Sequence, residues 1–409
     1  MKTKIICSLF ALFLLQGVVR SQTIDELYAI AADSNREVRA SFEEFQSSMQ
    51  RAAQVSGLSD PVLSFGYFIQ PVETRVGPQS AKIGLTQMFP WFGTLKSQEN
   101  SASSFAEAKY QTFLDKQKFL FVEIAESYYP LLELQEQIKL QEENLKILKS
   151  YLAIAKSSYS NGKSSMVDIL RVEIEIENAK TDLLLLEEEI EPYRVRLSNI
   201  LNWPNDTLYT INEKFEEIAL SKELAEKPLF NEHPTVLALK QQMESAKHQE
   251  QAAKKQGAPK IGVGLDYIFI DKSNSINSSD NGKDAIMPMV SVSIPLYRKK
   301  YKAAILEANH KQKALAYHIE NKENDLSSKY SLYWYQLTNA YEKHALYEQQ
   351  LKLTQQAINL TLNEYSNSGK DYEELLRLQQ KLLKYKEGQL VQMREYSLAK
   401  TKLNYLQSK

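Results

Sequence analysis

Two short segments of this chain carry carboxylates, guanidiniums and phenols at matching positions. Tyr159-Ser-Asn-Gly-Lys-Ser-Ser-Met-Val-Asp-Ile-Leu-Arg171 returns 206 residues later as Tyr365-Ser-Asn-Ser-Gly-Lys-Asp-Tyr-Glu-Glu-Leu-Leu-Arg377. Asp168 thereby answers to Glu374, which has Glu373 beside it, and Arg171 answers to Arg377. An acid followed by arginine one helical turn on is suited to ion pairing and charge selection. Ser165-x-x-Asp168 and Asp371-x-x-Glu374 also resemble capping boxes, which is a sufficient structural reason for both acids. Bond-making chemistry finds no such support, because a nucleophile elbow, a phosphate loop and a paired catalytic constellation are all missing from the sequence. Neither catalysis nor a cofactor is expected. The five histidines (His233, His248, His310, His318, His344) lack ligand spacing and read as surface helix residues. Met287 and Met289 offer soft thioethers. On a strand such residues more often face lipid or packing neighbours.

The elements that hold these segments are long helices. Gly162 and Gly369 stand where a helix C-cap needs a left-handed residue. Leu131, Leu134, Ile138, Leu145, Leu148, Leu152, Ala155 and Tyr159 recur at threes and fours before the first segment, with Gln141 the one polar intruder. Ile169, Val172, Ile176, Ala179, Leu183, Leu186, Ile190, Tyr193, Leu197 and Ile200 do so after it. Two such runs flanking 160–165 predict an antiparallel hairpin with coiled-coil packing. Glu187–Glu189 and Glu191 fall outside that seam, on a solvated face. The second hairpin uses Leu375, Leu378, Leu382 and Tyr385, then Gln389 and Gln392 interrupt before Tyr396, Ala399, Leu403 and Leu406. A continuous helix from Gly93 to Tyr159 would be about 100 Å long, and Pro130 predicts a kink or break near its middle.

The duplication extends beyond the hairpins. A first repeat (22–201) reads as a helix from Ile24 to about Gly57, strands at about 60–70 and 82–89, then the long hairpin. A second repeat (233–409) has a helix from Pro234 to about Gln256, strands at about 259–270 and 286–294, and its own hairpin. Residues 202–232 form a linker with a short helix expected near Glu213–Glu226. Apolar residues alternate with small or polar ones along each strand: Leu63, Phe65, Tyr67 and Ile69 oppose Ser64, Gly66 and Gln70, and Val263, Leu265 and Tyr267 oppose Gly262, Gly264 and Asp266. This is close to the signature of membrane barrel strands; a soluble sheet resting on helices gives the same alternation. Four strands cannot close a membrane barrel, whose smallest examples have about eight, so membrane strands would require several chains to pool theirs.

Residues 1–21 read as a secretory signal: Lys2 and Lys4, an apolar run from Ile5 to Val19, then small residues before Gln22. Its removal takes away Lys2, Lys4 and Arg20 and moves the formal charge from −1 to −4. No basic excess is left to attract nucleic acid. The one cysteine, Cys7, lies within the signal, so the mature chain is expected to lack thiols and disulfides.

With this plan on the page, the chain resembles the TolC family of outer-membrane efflux channels of Gram-negative bacteria. The resemblance rests on the duplicated helix–strand–loop–strand–long-helix order, on Pro90 and Pro295 after the second strand of each copy, and on the glycine tips followed by Asp168-Ile-Leu-Arg171 and Glu374-Leu-Leu-Arg377. It implies a mainly α fold with a small membrane β portion, in which a homotrimer builds a helical periplasmic tunnel and a shared twelve-stranded barrel in outer-membrane lipid. It implies a passive duct docked to a periplasmic adaptor and an inner-membrane pump of the resistance–nodulation–division type. Asn161, Gly162, Lys163, Gly369 and Lys370 would then touch the adaptor. Asp168, Arg171, Glu373, Glu374 and Arg377, with Tyr159 and Tyr365, would form the periplasmic entrance. The segment from Tyr67 to Gln79 resembles the first external loop of the heavy-metal branch, which makes heavy-metal cations one candidate cargo. The competing reading is a periplasmic coiled-coil adaptor or scaffold without a membrane barrel.

Overall fold

The computed structural model describes residues 23–204, 211, 213–220, 222–275, 279–368 and 372–407. The proposed signal therefore lies outside the described residues. In chain order the elements are α1 (Ile24–Ser34), α2 (Arg36–Ser56), β1 (Val62–Val72), β2 (Gln79–Phe89), α3 (Thr94–Ser160), α4 (Met166–Leu201) and α5 (Lys222–Ala225). There follow α6 (Pro234–Gln256), β3 (Lys260–Ile270), β4 (Ala285–Ser293), α7 (Arg298–Ser368) and α8 (Tyr372–Leu406). The chain divides into two units: residues up to Ala40 with Leu114–His233 and Asn324–Lys409, and Ser41–Phe113 with Pro234–Glu323. The long helices α3 and α7 contribute to both.

In the first unit, the two hairpins α3–α4 and α7–α8 share one core around Leu148, Tyr151, Ala155, Ile169, Val172, Ile358, Leu375 and Leu382. Much of the apolar spacing of the sequence is therefore the buried seam; Leu183, Leu186 and Ile190 are only partly buried, and Tyr159 is excluded from it at 48% exposure. The polar intruder Gln141 is buried and joins a layer that crosses both hairpins. Its amide donates to Asp182, Asn144 donates to Gln141, and Gln379 donates to Asn144, each at 3.3 Å. Buried amides remain tolerable because each finds a partner. Helix α3 runs through Pro130 without a break, which excludes one of the two outcomes expected there. A second expectation is corrected. The single helix from Ile24 is two, because Asn35 leaves helical geometry (ψ 125°) and its carboxamide oxygen takes the N–H groups of Glu37 and Val38.

The short helix expected near Glu213–Glu226 is confined to α5: among the described residues 213–220 carries no helix, and a 3₁₀ turn follows at Phe230–Glu232. The linker is tied down by side chains of the long helices. Tyr128 donates to Glu213, Tyr396 to the Ala219 carbonyl and Tyr330 to the Leu224 carbonyl. His233, expected on the surface, is buried against the Tyr405 ring at 5.1 Å.

The second unit holds an antiparallel sheet in the order β1-β2-β3-β4, so the two copies meet at β2 and β3. Register puts Leu63, Leu85 and Leu265 in one row and Phe65, Ile83, Tyr267 and Ile286 in the next. These rows lie open: Leu63, Phe65 and Tyr67 are each 72% exposed and Ile69 is 92% exposed. The opposite face is small and polar. Asp266, 1% exposed, pairs with Lys82 at 2.8 Å. A Cβ on Gly84 would stand 2.3 Å from the Asp266 carboxylate, so that face closes only with glycine there. No described helix is long and apolar enough to cross a membrane.

Candidate functional site

The tip of the first hairpin is built by its caps. Gly162 adopts φ +69°, and the N–H groups of Gly162 and Lys163 return to the carbonyls of Tyr159 and Ser158, both at 2.9 Å. This closes the last turn of α3 in a left-handed cap that a side chain would strain. Asn161, Gly162 and Lys163 are exposed there. The matching Gly369 and Lys370 lie outside the described residues.

Helix α4 then starts at Ser165, whose N–H donates to the Asp168 carboxylate at 3.2 Å. The cap reading of Asp168 is therefore correct, and the charge reading is compatible with it. Arg171 lies 3.9 Å from Asp168 and reaches across to Glu373 of the other hairpin at 3.0 Å. Arg377 closes on Glu374 of its own helix, with Nε donating at 2.8 Å. Five of the named charges thus fall into two clusters: one joins the hairpins and one stays within α8. Three carboxylates meet two guanidiniums.

The two tyrosines part company. Tyr159 is half exposed, whereas Tyr365 is fully buried, its hydroxyl lacking a hydrogen-bond partner among the described residues. Its ring packs at 4.4 Å on Tyr372, which donates to the Tyr151 carbonyl at 3.0 Å. Burial, with Tyr365 and the Asp168 charge nearby, pushes the Tyr372 phenol well above its ordinary value, so it stays a donor at any working pH. Sequence reasoning missed Tyr372 and Tyr151 as the supports of the tip. The apolar spacing of Tyr372 with Leu375, Leu376 and Leu382 was the available signal. Among the described residues no group of three His, Cys, Asp or Glu side chains is arranged to hold a metal ion.

The family profile described as "Outer membrane efflux protein" matches residues 36–202 and again 228–395. The pyoverdine export outer membrane protein OpmQ of Pseudomonas putida is 21% identical over 268 residues, 60% of this chain and 56% of that relative. The match thus spans little more than half of the relative's length. Among solved structures, CusC superposes with a TM-score of 0.74 at 15% identity, covering 94% of this chain and 91% of the other. VceC of Vibrio cholerae gives 0.74 at 14% identity, covering 94% and 96%. The open state of the MtrE channel of Neisseria gonorrhoeae gives 0.73 at 14%, covering 94% and 88%. These likenesses show the fold. The reading as a periplasmic adaptor or scaffold gives way to a profile that matches both copies of the repeat and accounts for hairpins and strands together. The chain belongs to the outer membrane efflux protein family.

Proposed function

We propose that this chain is the outer-membrane duct of a tripartite efflux system: passive itself, and loaded through a periplasmic adaptor by an inner-membrane pump of the resistance–nodulation–division type. The observation that carries the reading is the sheet. Its apolar face is open, and β1 and β4 each have one unpaired edge. Hydrocarbon covers the face but leaves the edges intolerable, because each unpaired backbone group costs several kcal/mol there. Neighbouring chains remove the edges, and three copies supply twelve strands.

The helical unit is then periplasmic, and the tips face the adaptor through Asn161, Gly162 and Lys163, with Gly369 and Lys370 on the second hairpin. Asp168, Arg171, Glu373, Glu374 and Arg377 line the entrance beside Tyr159, while Tyr365 anchors the tip from its core. The Arg171–Glu373 pair ties one hairpin to the other, so opening has to break it. A wide passage selects little, which leaves the choice of cargo to the pump; heavy-metal cations and drug-like molecules both suit it. Cell fractionation tests the reading. The protein is expected in outer-membrane fractions as an oligomer that survives mild detergent. Recovery as a monomer in the soluble periplasmic fraction would contradict it.

A further inference from the structure

The second unit contains a cavity of about 650 Å³, lined in part by Leu58, Met88, Trp91, Thr94, Lys260 and Lys300. That volume suits a small organic ligand. The lining includes three lysines and no acid. Lys255, the third, donates to the Gly93 carbonyl at 3.2 Å and to Ser97 Oγ at 2.9 Å, where α3 begins. Gly93 has φ +76° and lies so close that a Cβ would be 2.8 Å from Lys255 Nζ. Lys260 and Lys300 have no acidic partner among the described residues, and Lys300 lies 4.9 Å from the centre of the Tyr301 ring.

The helix ends add to this positive field. A helix N-terminus carries about half a positive charge and is ordinarily met by an acid. The first turns of α3 and α7 contain none, and α7 opens with Arg298, Lys299 and Lys300. Thr94 supplies an independent observation. It is 3% exposed, lines the cavity, and its hydroxyl has no hydrogen-bond partner among the described residues. A buried hydroxyl left unpaired costs free energy that a bound acceptor would recover.

We infer that this cavity binds an organic anion with an aromatic or alkyl body. The anionic group sits against Lys260, Lys300 and the Thr94 hydroxyl, and the body lies on Trp91, Leu58 and Met88. Met88, in register with Gly262, and Lys260, in register with Ser293, stand on the glycine-rich polar face of the sheet, opposite the exposed apolar face. The ligand therefore arrives from the aqueous passage and not from the lipid. This last point rests on the duct reading; the binding itself does not. The tip does not bar an anion, since arginines offset most of its acids.

Planar bilayers of neutral phosphatidylcholine, with sodium naphthalene-2-sulfonate as probe, test the assignment on the full chain. Calorimetric titration of the detergent-solubilised oligomer runs in parallel. Expected are reversible block of the current, saturable binding, and no block by 2-naphthylmethylammonium. Lys260→Gln with Lys300→Gln raises the half-blocking and half-binding concentrations about tenfold or more, and Thr94→Val raises them less. A protein that conducts but neither binds nor is blocked, or a double variant that behaves as the wild type, overturns the site and leaves the duct standing. Binding without any conductance overturns the duct and leaves the site standing.

Discussion

Asp168 has two tasks at one atom group: it takes the Ser165 N–H and faces Arg171. Its loss should cost about 1 kcal/mol of cap stability and free Arg171 from one of its two acids. Glu374 holds Arg377 in the same way. The double variant Asp168→Ala, Glu374→Ala should therefore conduct more than the wild type in planar bilayers and shift its preference from cations toward anions, because two guanidiniums then face one carboxylate. Unchanged conductance and selectivity would remove both acids from the entrance. Glu387, on α8, makes a separate point about buried charge. Burial holds its carboxyl above the ordinary range, and the nearby Asp182 adds to this. A carboxyl raised in the folded state favours folding below its unfolded value near pH 4 and loses that contribution as pH rises through the folded value. Glu387→Gln should raise the Tm at pH 7.5 and leave it unchanged at about pH 4. An equal gain at both values would show that the charge is not the cause.

At the scale of elements, periodicity was the legible part. Leucines at threes and fours became the shared core of four helices, and period-two alternation became a sheet with one exposed face and one closed by glycine. Breaks within helices were harder to read. Pro130 leaves α3 unbroken, in keeping with the dense packing around it, where Tyr128, Leu131 and Leu132 are all buried. Asn35 does interrupt, and its meaning was available in the sequence: an asparagine with Glu37 in the following turn is a helix start. What the sequence could not supply is the partner, since Asn35 donates to the Ile200 carbonyl 165 residues away, at 2.9 Å. Asn35→Ala removes that bond and the cap of α2 together. It should cost about 1–2 kcal/mol, read as a lower Tm of the detergent-solubilised protein. No change in Tm would mean that the break between α1 and α2 is set by packing alone. The tip was legible in part for the same reason. The carboxylates and arginines lay at repeated spacings, whereas the bridge from Arg171 to Glu373 and the stacking of Tyr365 on Tyr372 depend on how two distant hairpins meet.

At the scale of the whole molecule, the duct proposal requires more than one chain. Four strands end in two bare edges, and the exposed row from Leu63 to Ile69 finds no cover among the described residues. On the proposed duct reading, membrane lipid and neighbouring copies together satisfy both, and the tip charges gain a common axis in that assembly. Cysteine cross-linking tests that claim most directly, because Cys7 is the only native cysteine and falls in the proposed signal. Cysteines placed in pairs on β1 and β4, at Ser64 with Ser291 and at neighbouring registers, are oxidised in outer-membrane vesicles. Closure by three copies predicts a covalent ring at three times the mass of the mature chain for at least one register, with single-cysteine variants remaining monomeric on denaturing gels. Monomers at every register, or a ladder extending past three copies, would contradict it.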